Sequence, residues 1–237
     1  MKHYCVVYHG GDAGHFIIHL INQHRNFAQQ ESIIAGDNKW IYSLGSTWNI
    51  IETPVTKKLN DRENNAGITD EPILTEEEFI KSQRTYATNP NFTKVAWRVP
   101  EHSTYKIITN YEKIRNANLD LTFIFVEISD YRLIANRFYD LIEMGKFRKV
   151  SDGDNNKAEV IKFIETKHEA NSDEINAVKK MAELDNIPCF IIDSTNIIKG
   201  DMAEYLKLCK IIDEEPDTKL FKRIQEDYVA KIWSSYL

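Results

Sequence analysis

This sequence has few cysteines, no net positive charge and no long apolar run, and each of these features argues against a class of protein. The three cysteines, Cys5, Cys189 and Cys209, are odd in number and show no CxxC spacing. A disulfide framework and a paired-thiolate metal motif are therefore not indicated. We expect buried free thiols and a reducing compartment, which favours a cytoplasmic protein.

The excess of acidic residues argues against several partners. The net charge is −6 and the isoelectric point is near 5.7, so the sequence lacks the basic footprint typical of binding to duplex nucleic acid or anionic membranes. No stretch approaches the roughly 20 apolar residues that span a bilayer. The first twenty residues contain Asp12 and histidines instead of the apolar core of a signal peptide. We therefore expect a soluble, intracellular protein.

The apolar segments that are present predict the fold class. Four β-prone runs lie near residues 3–8, 94–99, 121–128 and 188–192, and they alternate with helical patterns. This order predicts a three-layer α/β/α fold with a mainly parallel sheet. The length of 237 residues and the hydrophobic fraction of 42% suit a single α/β domain over residues 1–237.

Periodicity and capping residues predict further elements between these strands. Two β-prone runs, 40–44 and 48–52, are predicted to pair as a hairpin added at a sheet edge. The polar segment 54–74 is predicted to be a mobile excursion, and in a nucleotide enzyme such a segment could act as a lid. Helices are predicted near residues 14–29, 76–86, 109–117, 130–145, 157–184, 201–212 and from 217 onward. The helix at 157–184 is predicted to be broken at residues 171–173.

The first thirty residues carry the strongest functional pattern. A glycine-rich turn separates the first strand from the first helix, and turns of this kind bind anions through backbone N–H groups at a helix N-terminus. In open α/β sheets, ligands bind at the carboxyl ends of the strands, where this turn lies. The candidate nucleotide-binding residues of the turn are Gly10, Gly11, Asp12, Ala13 and Gly14.

The order of these parts resembles the P-loop sulfotransferase-like family, particularly its small, divergent members from marine phages and viruses. In that family a loop of the type Pro-Lys-x-Gly-Thr-Thr-Trp follows the first strand, and residues 11–17 take its place here. A later family strand ends in Arg-Asp-Pro-Arg-Asp before a helix, and residues 125–132 correspond to it. The resemblance implies a P-loop NTPase/sulfotransferase-like fold.

The resemblance also implies a reaction and its binding residues. The reaction would be in-line transfer of a sulfuryl group from 3′-phosphoadenosine 5′-phosphosulfate to a hydroxyl or amine acceptor. In the family, an arginine and a helix serine hold the 3′-phosphate of the nucleotide. The residues of this chain that correspond in place are Ser129, with Arg132 or Arg137 as the cation.

Two positions depart from the family pattern, and histidines offer candidate bases. Asp12 stands where the family has a loop cation, and Glu127 stands where it has the strand-end arginine. His15, on the first turn of the first helix, and His102, after the second strand, are the candidate catalytic bases, because histidine accepts a proton near neutral pH. No metal is expected.

Three alternatives remain open from the sequence. A nucleotide kinase-like enzyme would require the loop lysine of GxxxxGK[ST], which is absent. A catalytically degenerate P-loop fold could serve as a binding or virion-associated module, and the carboxylates of Asp12 and Glu127 favour it. A histidine-based metal site would draw on His9, His15 and His19 together with Asp12. A homo-oligomer or a virion partner is compatible with each alternative.

Overall fold

The structure, a computed structural model, describes residues 1–8, 13–27, 32–35, 39–42, 91–99, 111, 115, 119–143 and 157–230. The predicted excursion at 54–74, the predicted helix at 76–86 and the predicted strand at 48–52 lie outside these residues. The strands, in chain order, are β1 (Lys2–Val7), β2 (Ser32–Ala35), β3 (Lys39–Tyr42), β4 (Lys94–Val99), β5 (Asp120–Glu127) and β6 (Cys189–Asp193). The helices are α1 (Gly14–Asn22), α2 (Tyr131–Glu143), α3 (Lys157–Leu184), α4 (Ser194–Ile198), α5 (Met202–Ile212) and α6 (Thr218–Tyr228).

Four of the strands form a parallel sheet in the order β4–β1–β5–β6. Each of the four strands predicted from sequence is present within one or two residues of its predicted limits. Strand β4, which follows in the parallel sheet, lies beside β1 toward one edge, and β5 lies beside β1 toward the other edge. The strand order therefore reverses between β1 and β5, and the crevice outside their carboxyl ends is where open α/β sheets bind ligands.

The strands alternate their side chains between two apolar layers. Tyr4 and Val6 of β1 pack with α1, α5 and α6 on one face, whereas Cys5 and Val7 pack on the other face. The second face is covered by the C-terminal half of α3 and by Tyr111. Helices thus cover both faces of the sheet, and the predicted α/β/α architecture is confirmed.

Residues 32–42 contain a hairpin that was not predicted from the sequence. Residues 39–42 are a strand, as predicted, but they pair antiparallel with Ser32–Ala35 in a two-stranded sheet of their own. The predicted pairing of residues 40–44 with 48–52 stays a prediction, because residues 43–52 lie outside the described residues. Gly36, Asp37 and Asn38 separate the paired strands in the sequence, and these residue types favour turns.

Two helix boundaries also differ from the predictions. Helix α1 ends at Asn22 instead of near Gln29, and Phe27 forms an isolated parallel bridge to Lys94. Helix α3 runs from Lys157 to Leu184 without the break predicted at 171–173. The hydroxyl of Ser172 donates to the carbonyl of His168, 3.0 Å away and four residues earlier, so it is satisfied inside a continuous helix.

A buried polar cluster holds the C-terminal end of α5 at the amino edge of the sheet. The Lys94 ammonium donates to the Ile212 carbonyl and to the Glu214 carboxylate, both at 2.9 Å. The Tyr4 hydroxyl donates to the same Ile212 carbonyl at 3.0 Å, and Asn26 donates to the Glu214 carboxylate at 3.0 and 3.2 Å. We call Lys94, Tyr4, Asn26 and Glu214 the Lys94 clamp. It satisfies a terminal helix carbonyl and directs the start of α5 toward the carboxyl edge.

None of the helices within the described ranges is both long enough and apolar enough to cross a membrane.

Candidate functional site

The first half of the candidate site is the point where β1 gives way to α1. Ala13 is the N-cap of α1 and has left-handed backbone angles, φ 57° and ψ 19°. Its carbonyl accepts from the N–H groups of Phe16 and Ile17 at 2.9 and 3.2 Å. An alanine in this conformation costs on the order of 1 kcal/mol, and strained backbone of this kind is concentrated at functional sites.

Gly14 allows α1 to start directly against the end of β1. A Cβ atom at this position would overlap the ring of Tyr8, which is itself buried. Only glycine lets the backbone approach that closely. The helix N-terminus is therefore held at the carboxyl end of β1, beside the reversal in strand order.

Several predicted site residues stay predictions because they are not described. Gly10, Gly11, Asp12 and His102 lie outside the described residues. His15 is the second residue of α1, but the structure does not describe its side chain.

The second half of the candidate site is the β5–α2 junction, residues 127–130. Ser129 is exposed just after β5, and Arg132 is exposed in the first turn of α2. Arg137 is half-buried five residues later, which places it about 7.5 Å farther along the helix axis and about 140° around it. The structure therefore places the backbones of Ser129 and Arg132 together at the carboxyl edge, and the backbone of Arg137 lies farther along α2.

The residues at the end of β6 and in α4 support this junction, and this support was not predicted from the sequence. Asp193 Oδ1 accepts from the Ser129 N–H at 3.4 Å, and Thr195 Oγ1 accepts from the Asp130 N–H at 3.3 Å. The Ser194 hydroxyl donates to the Glu127 carbonyl at 3.1 Å, and Lys199 pairs with Asp130 at 3.1 Å. We call Asp193, Ser194, Thr195 and Lys199 the α4 latch. The run Asp-Ser-Thr after an apolar strand is an N-cap signal that could have located it.

Carboxylates dominate the charge at this edge. Glu127 and Asp193 face each other in register on neighbouring strands, and Asp130 follows two residues after β5. Lys199 compensates Asp130, while Lys207 pairs with Glu204 at 2.9 Å. Among the described residues, Arg132 and the N-terminal end of α1 are the groups at this edge that would attract an anion.

The histidines of the α1 region that are described in full serve packing. Burial lowers the pKa of His19 to about 4, against the opposing effect of Asp227, and burial also lowers the pKa of His24. Both rings are almost fully buried. They are therefore neutral near pH 7 and are positioned as packing residues.

The cysteines are free thiols, as predicted. Cys5 and Cys209 are buried and Cys189 is half-buried. Burial raises the pKa of Cys189 to about 11 and also raises that of Cys209, so neither is a reactive thiolate near neutral pH. Within the part of the chain that the structure describes, no three His, Cys, Asp or Glu side chains converge to hold a metal ion.

Comparison with known proteins gives a likeness in fold only. No protein-family model and no curated protein matches the sequence. The fold is similar to that of the sulfotransferase domain from the curacin biosynthetic pathway, with a TM-score of 0.50 and 10% sequence identity. The match covers 93% of this chain and 77% of that chain. The chain therefore has a sulfotransferase-like α/β fold.

Proposed function

We propose that this chain transfers a sulfuryl group from 3′-phosphoadenosine 5′-phosphosulfate to a hydroxyl or amine acceptor. The observation that carries the proposal is the contact of Gly14 with Tyr8, which holds the α1 N-terminus at the reversal in strand order. A backbone built in this way suits an anionic group at the end of β1. The likeness in fold to a sulfotransferase domain supports the same assignment.

Each half of the site has a distinct role in the proposal. Residues 10–14 and the α1 N-terminus bind the phosphosulfate, and Ser129 with Arg132 binds the 3′-phosphate of the nucleotide. We assign the cation role to Arg132, which is exposed in the first turn of α2, and Arg137 is the alternative cation five residues later. A guanidinium suits a phosphate because it can donate two parallel hydrogen bonds.

The proposed reaction is a direct displacement at sulfur. The bond from the acceptor oxygen or nitrogen to sulfur forms while the bond from sulfur to the bridging oxygen of the donor breaks. The acceptor proton passes to His15 or His102, and adenosine 3′,5′-bisphosphate leaves. Catalysis then depends on alignment of the two substrates and on donors that stabilise the departing phosphate.

Binding of adenosine 3′,5′-bisphosphate tests the proposal. At 100-fold excess over Kd, a true ligand should add roughly 2.7 kcal/mol to the free energy of unfolding, measured by thermal shift and calorimetry. The Arg132→Ala variant should bind about tenfold more weakly, because a charged hydrogen bond is lost. Arg223→Ala, which removes an exposed arginine from α6, is the matched control and should bind like the wild type.

A transfer assay then separates binding from catalysis. Donor labelled with ³⁵S should pass its label to a member of a mixed set of phenols, alcohols and amines. Absence of nucleotide binding would contradict the proposed sulfotransferase function. ATP·Mg²⁺ in a parallel titration tests the kinase-like alternative.

A binding module without catalysis is the second candidate. The pairing in register of Glu127 with Asp193 favours it, because two carboxylates at the strand ends oppose the charge of a phosphate. This candidate, which includes a virion-associated role, predicts nucleotide or partner binding without transfer of label. Sulfated product above the level of an enzyme-free control would contradict it.

A further inference from the structure

Helix α4 is a short element whose residues contact the β5–α2 junction at four points. Two contacts engage backbone N–H groups, those of Ser129 and Asp130. A third engages the Glu127 carbonyl through the Ser194 hydroxyl, and the fourth is the ion pair of Lys199 with Asp130. The junction is therefore attached to α4 on both sides of Ser129.

The latch is itself anchored to the rest of the fold. Ser194 and Thr195 are 0% and 1% exposed. The Asp193 side chain also accepts from the Thr195 N–H at 2.9 Å, which caps α4. The Asp193 N–H donates to Glu204 on α5 at 2.9 Å. A support that is buried, capped and hydrogen-bonded holds its contacts within narrow limits.

These contacts determine what the junction can offer a ligand. The N–H groups of Ser129 and Asp130 precede α2, where free backbone N–H groups would bind an anion. Asp193 and Thr195 already occupy both of them. The exposed side chains of Ser129 and Arg132 lie beside these occupied N–H groups and are available for ligand contact.

We infer that Asp193 and Thr195 are positioning residues for the nucleotide site, acting through the β5–α2 junction to fix Ser129 and Arg132. The inference rests on the proposed function for the identity of the ligand. The hydrogen bonds themselves are independent of it, so the test has one arm without any nucleotide.

Thr195 gives the cleanest test because its substitution leaves the charge unchanged. Thr195→Val keeps the shape of the side chain and removes the acceptor of the Asp130 N–H, whereas Thr195→Ser keeps the acceptor. Amide exchange of the full chain, followed by NMR without ligand, should show roughly tenfold lower protection of the Asp130 amide in Thr195→Val. Thr195→Ser should retain the wild-type protection.

Nucleotide affinity is the second readout. Adenosine 3′,5′-bisphosphate should bind about fivefold more weakly to Thr195→Val, because the loss of one hydrogen bond disturbs the geometry of the site. It should bind to Thr195→Ser with unchanged affinity. Unchanged exchange at Asp130 in Thr195→Val would overturn the latch. Lost protection with unchanged affinity would overturn the positioning role.

A pair of capping aspartates supplies the matched control. Asp193 and Asp201 are the N-caps of α4 and α5, and only Asp193 also reaches the junction. Both alanine variants should lower the unfolding midpoint, but only Asp193→Ala should deprotect the Ser129 amide. Equal deprotection of Ser129 in both variants would mean a general loss of stability and overturn the inference. A wild-type chain that binds no nucleotide would refute the proposed function and the binding role, while the exchange data would still decide the latch.

Discussion

Gly14 is the residue at which the smallest substitution should have a large effect. Gly14→Ala places a Cβ against the buried ring of Tyr8, so the helix or the ring must move. We expect the free energy of unfolding to fall by about 1–3 kcal/mol, as for other overpacked sites. Chemical denaturation of the variant and the wild type measures this difference.

A double variant and a second glycine make the test specific. Tyr8→Leu removes the ring, so adding Gly14→Ala to it should cost less than in the wild type. Gly200, with φ 81°, has its nearest neighbouring side-chain atoms on Gln225 at 3.5 Å or more. Gly200→Ala should therefore show backbone strain alone, about 1 kcal/mol. Simple additivity of the Tyr8 and Gly14 changes would contradict the clash.

His19 should make the stability of the fold depend on pH. Burial lowers its pKa to about 4 in the folded chain, against about 6.5 when unfolded. The unfolded chain therefore binds more protons between these pKa values, so stability falls as pH decreases from about 6.5 to 4. This pKa shift corresponds to a loss of roughly 3 kcal/mol in the free energy of unfolding between about pH 6.5 and pH 4.

Urea unfolding at several pH values measures this dependence. His19→Leu cannot take up the proton and should flatten the profile, leaving the smaller contribution from His24, which acts in the same direction. An unchanged slope in His19→Leu would show that other groups cause the acid sensitivity.

The sequence located some of these residues but not the reasons for their importance. Gly14 was predicted as part of a turn that wraps an anion, and glycine content alone supports that statement. The contact with Tyr8 depends on how α1 returns over β1, which no local pattern encodes. Burial of His19 follows in the same way from the packing of α1, since periodicity gives a helix face but not its neighbours.

At the scale of elements, the Lys94 clamp is the feature whose loss should be most damaging. Lys94→Met removes the ammonium from Glu214, whose side chain is only 5% exposed, and from the last carbonyls of α5. An unpaired buried carboxylate should lower the free energy of unfolding by about 3–5 kcal/mol. Thermal and chemical unfolding measure the loss.

A more exposed ion pair gives the comparison for this prediction. The Lys207 side chain is 49% exposed and pairs with Glu204 on α5, whose side chain is 12% exposed. Lys207→Met removes the same kind of charge and should change stability by about 1 kcal/mol or less. Equal effects in the two variants would show that the clamp contributes no more than a surface pair.

Elements were predictable where one local signal was decisive. The apolar run of β5 specified a strand covered on both faces, and Asp201 specified the start of α5. Local signals failed where a tertiary contact or a choice of partner decided the outcome. Ser172 is a poor helix former in isolation, yet its hydroxyl is satisfied within α3. Phe27, predicted to lie in the first helix, instead forms a bridge to the distant Lys94.

At the scale of the whole molecule, the order of elements was sufficient to predict the architecture but not to predict the contacts of the site. Alternating strands and helices imply a parallel sheet, and the parallel sheet places all strand ends at one edge. The α4 latch joins segments more than sixty residues apart in sequence. Such a contact depends on β5 and β6 being neighbours, and strand order is not encoded in any single segment.

The net charge of the molecule leads to a final prediction about nucleotide binding. The chain carries −6, and Glu127 and Asp193 lie at the carboxyl edge where we place the nucleotide. Long-range repulsion should slow the approach of an anionic nucleotide at low salt. The Debye length falls from about 30 Å at 0.01 M to about 10 Å at 0.1 M, so the association rate should rise severalfold over that range.

Stopped-flow measurement with a fluorescent adenosine 3′,5′-bisphosphate analogue checks this rate, and two charge variants assign its origin. Glu127→Gln removes a charge at the proposed site and should weaken the salt dependence. Glu215→Gln removes the same charge from an exposed position beside the Lys94 clamp, at the opposite edge, and should weaken it less. An association rate that falls with added salt would mean that a local cationic surface guides the nucleotide despite the acidic chain. Equal effects of the two variants would mean that the nucleotide does not approach the chain near the end of β5, because Coulomb repulsion decreases with distance.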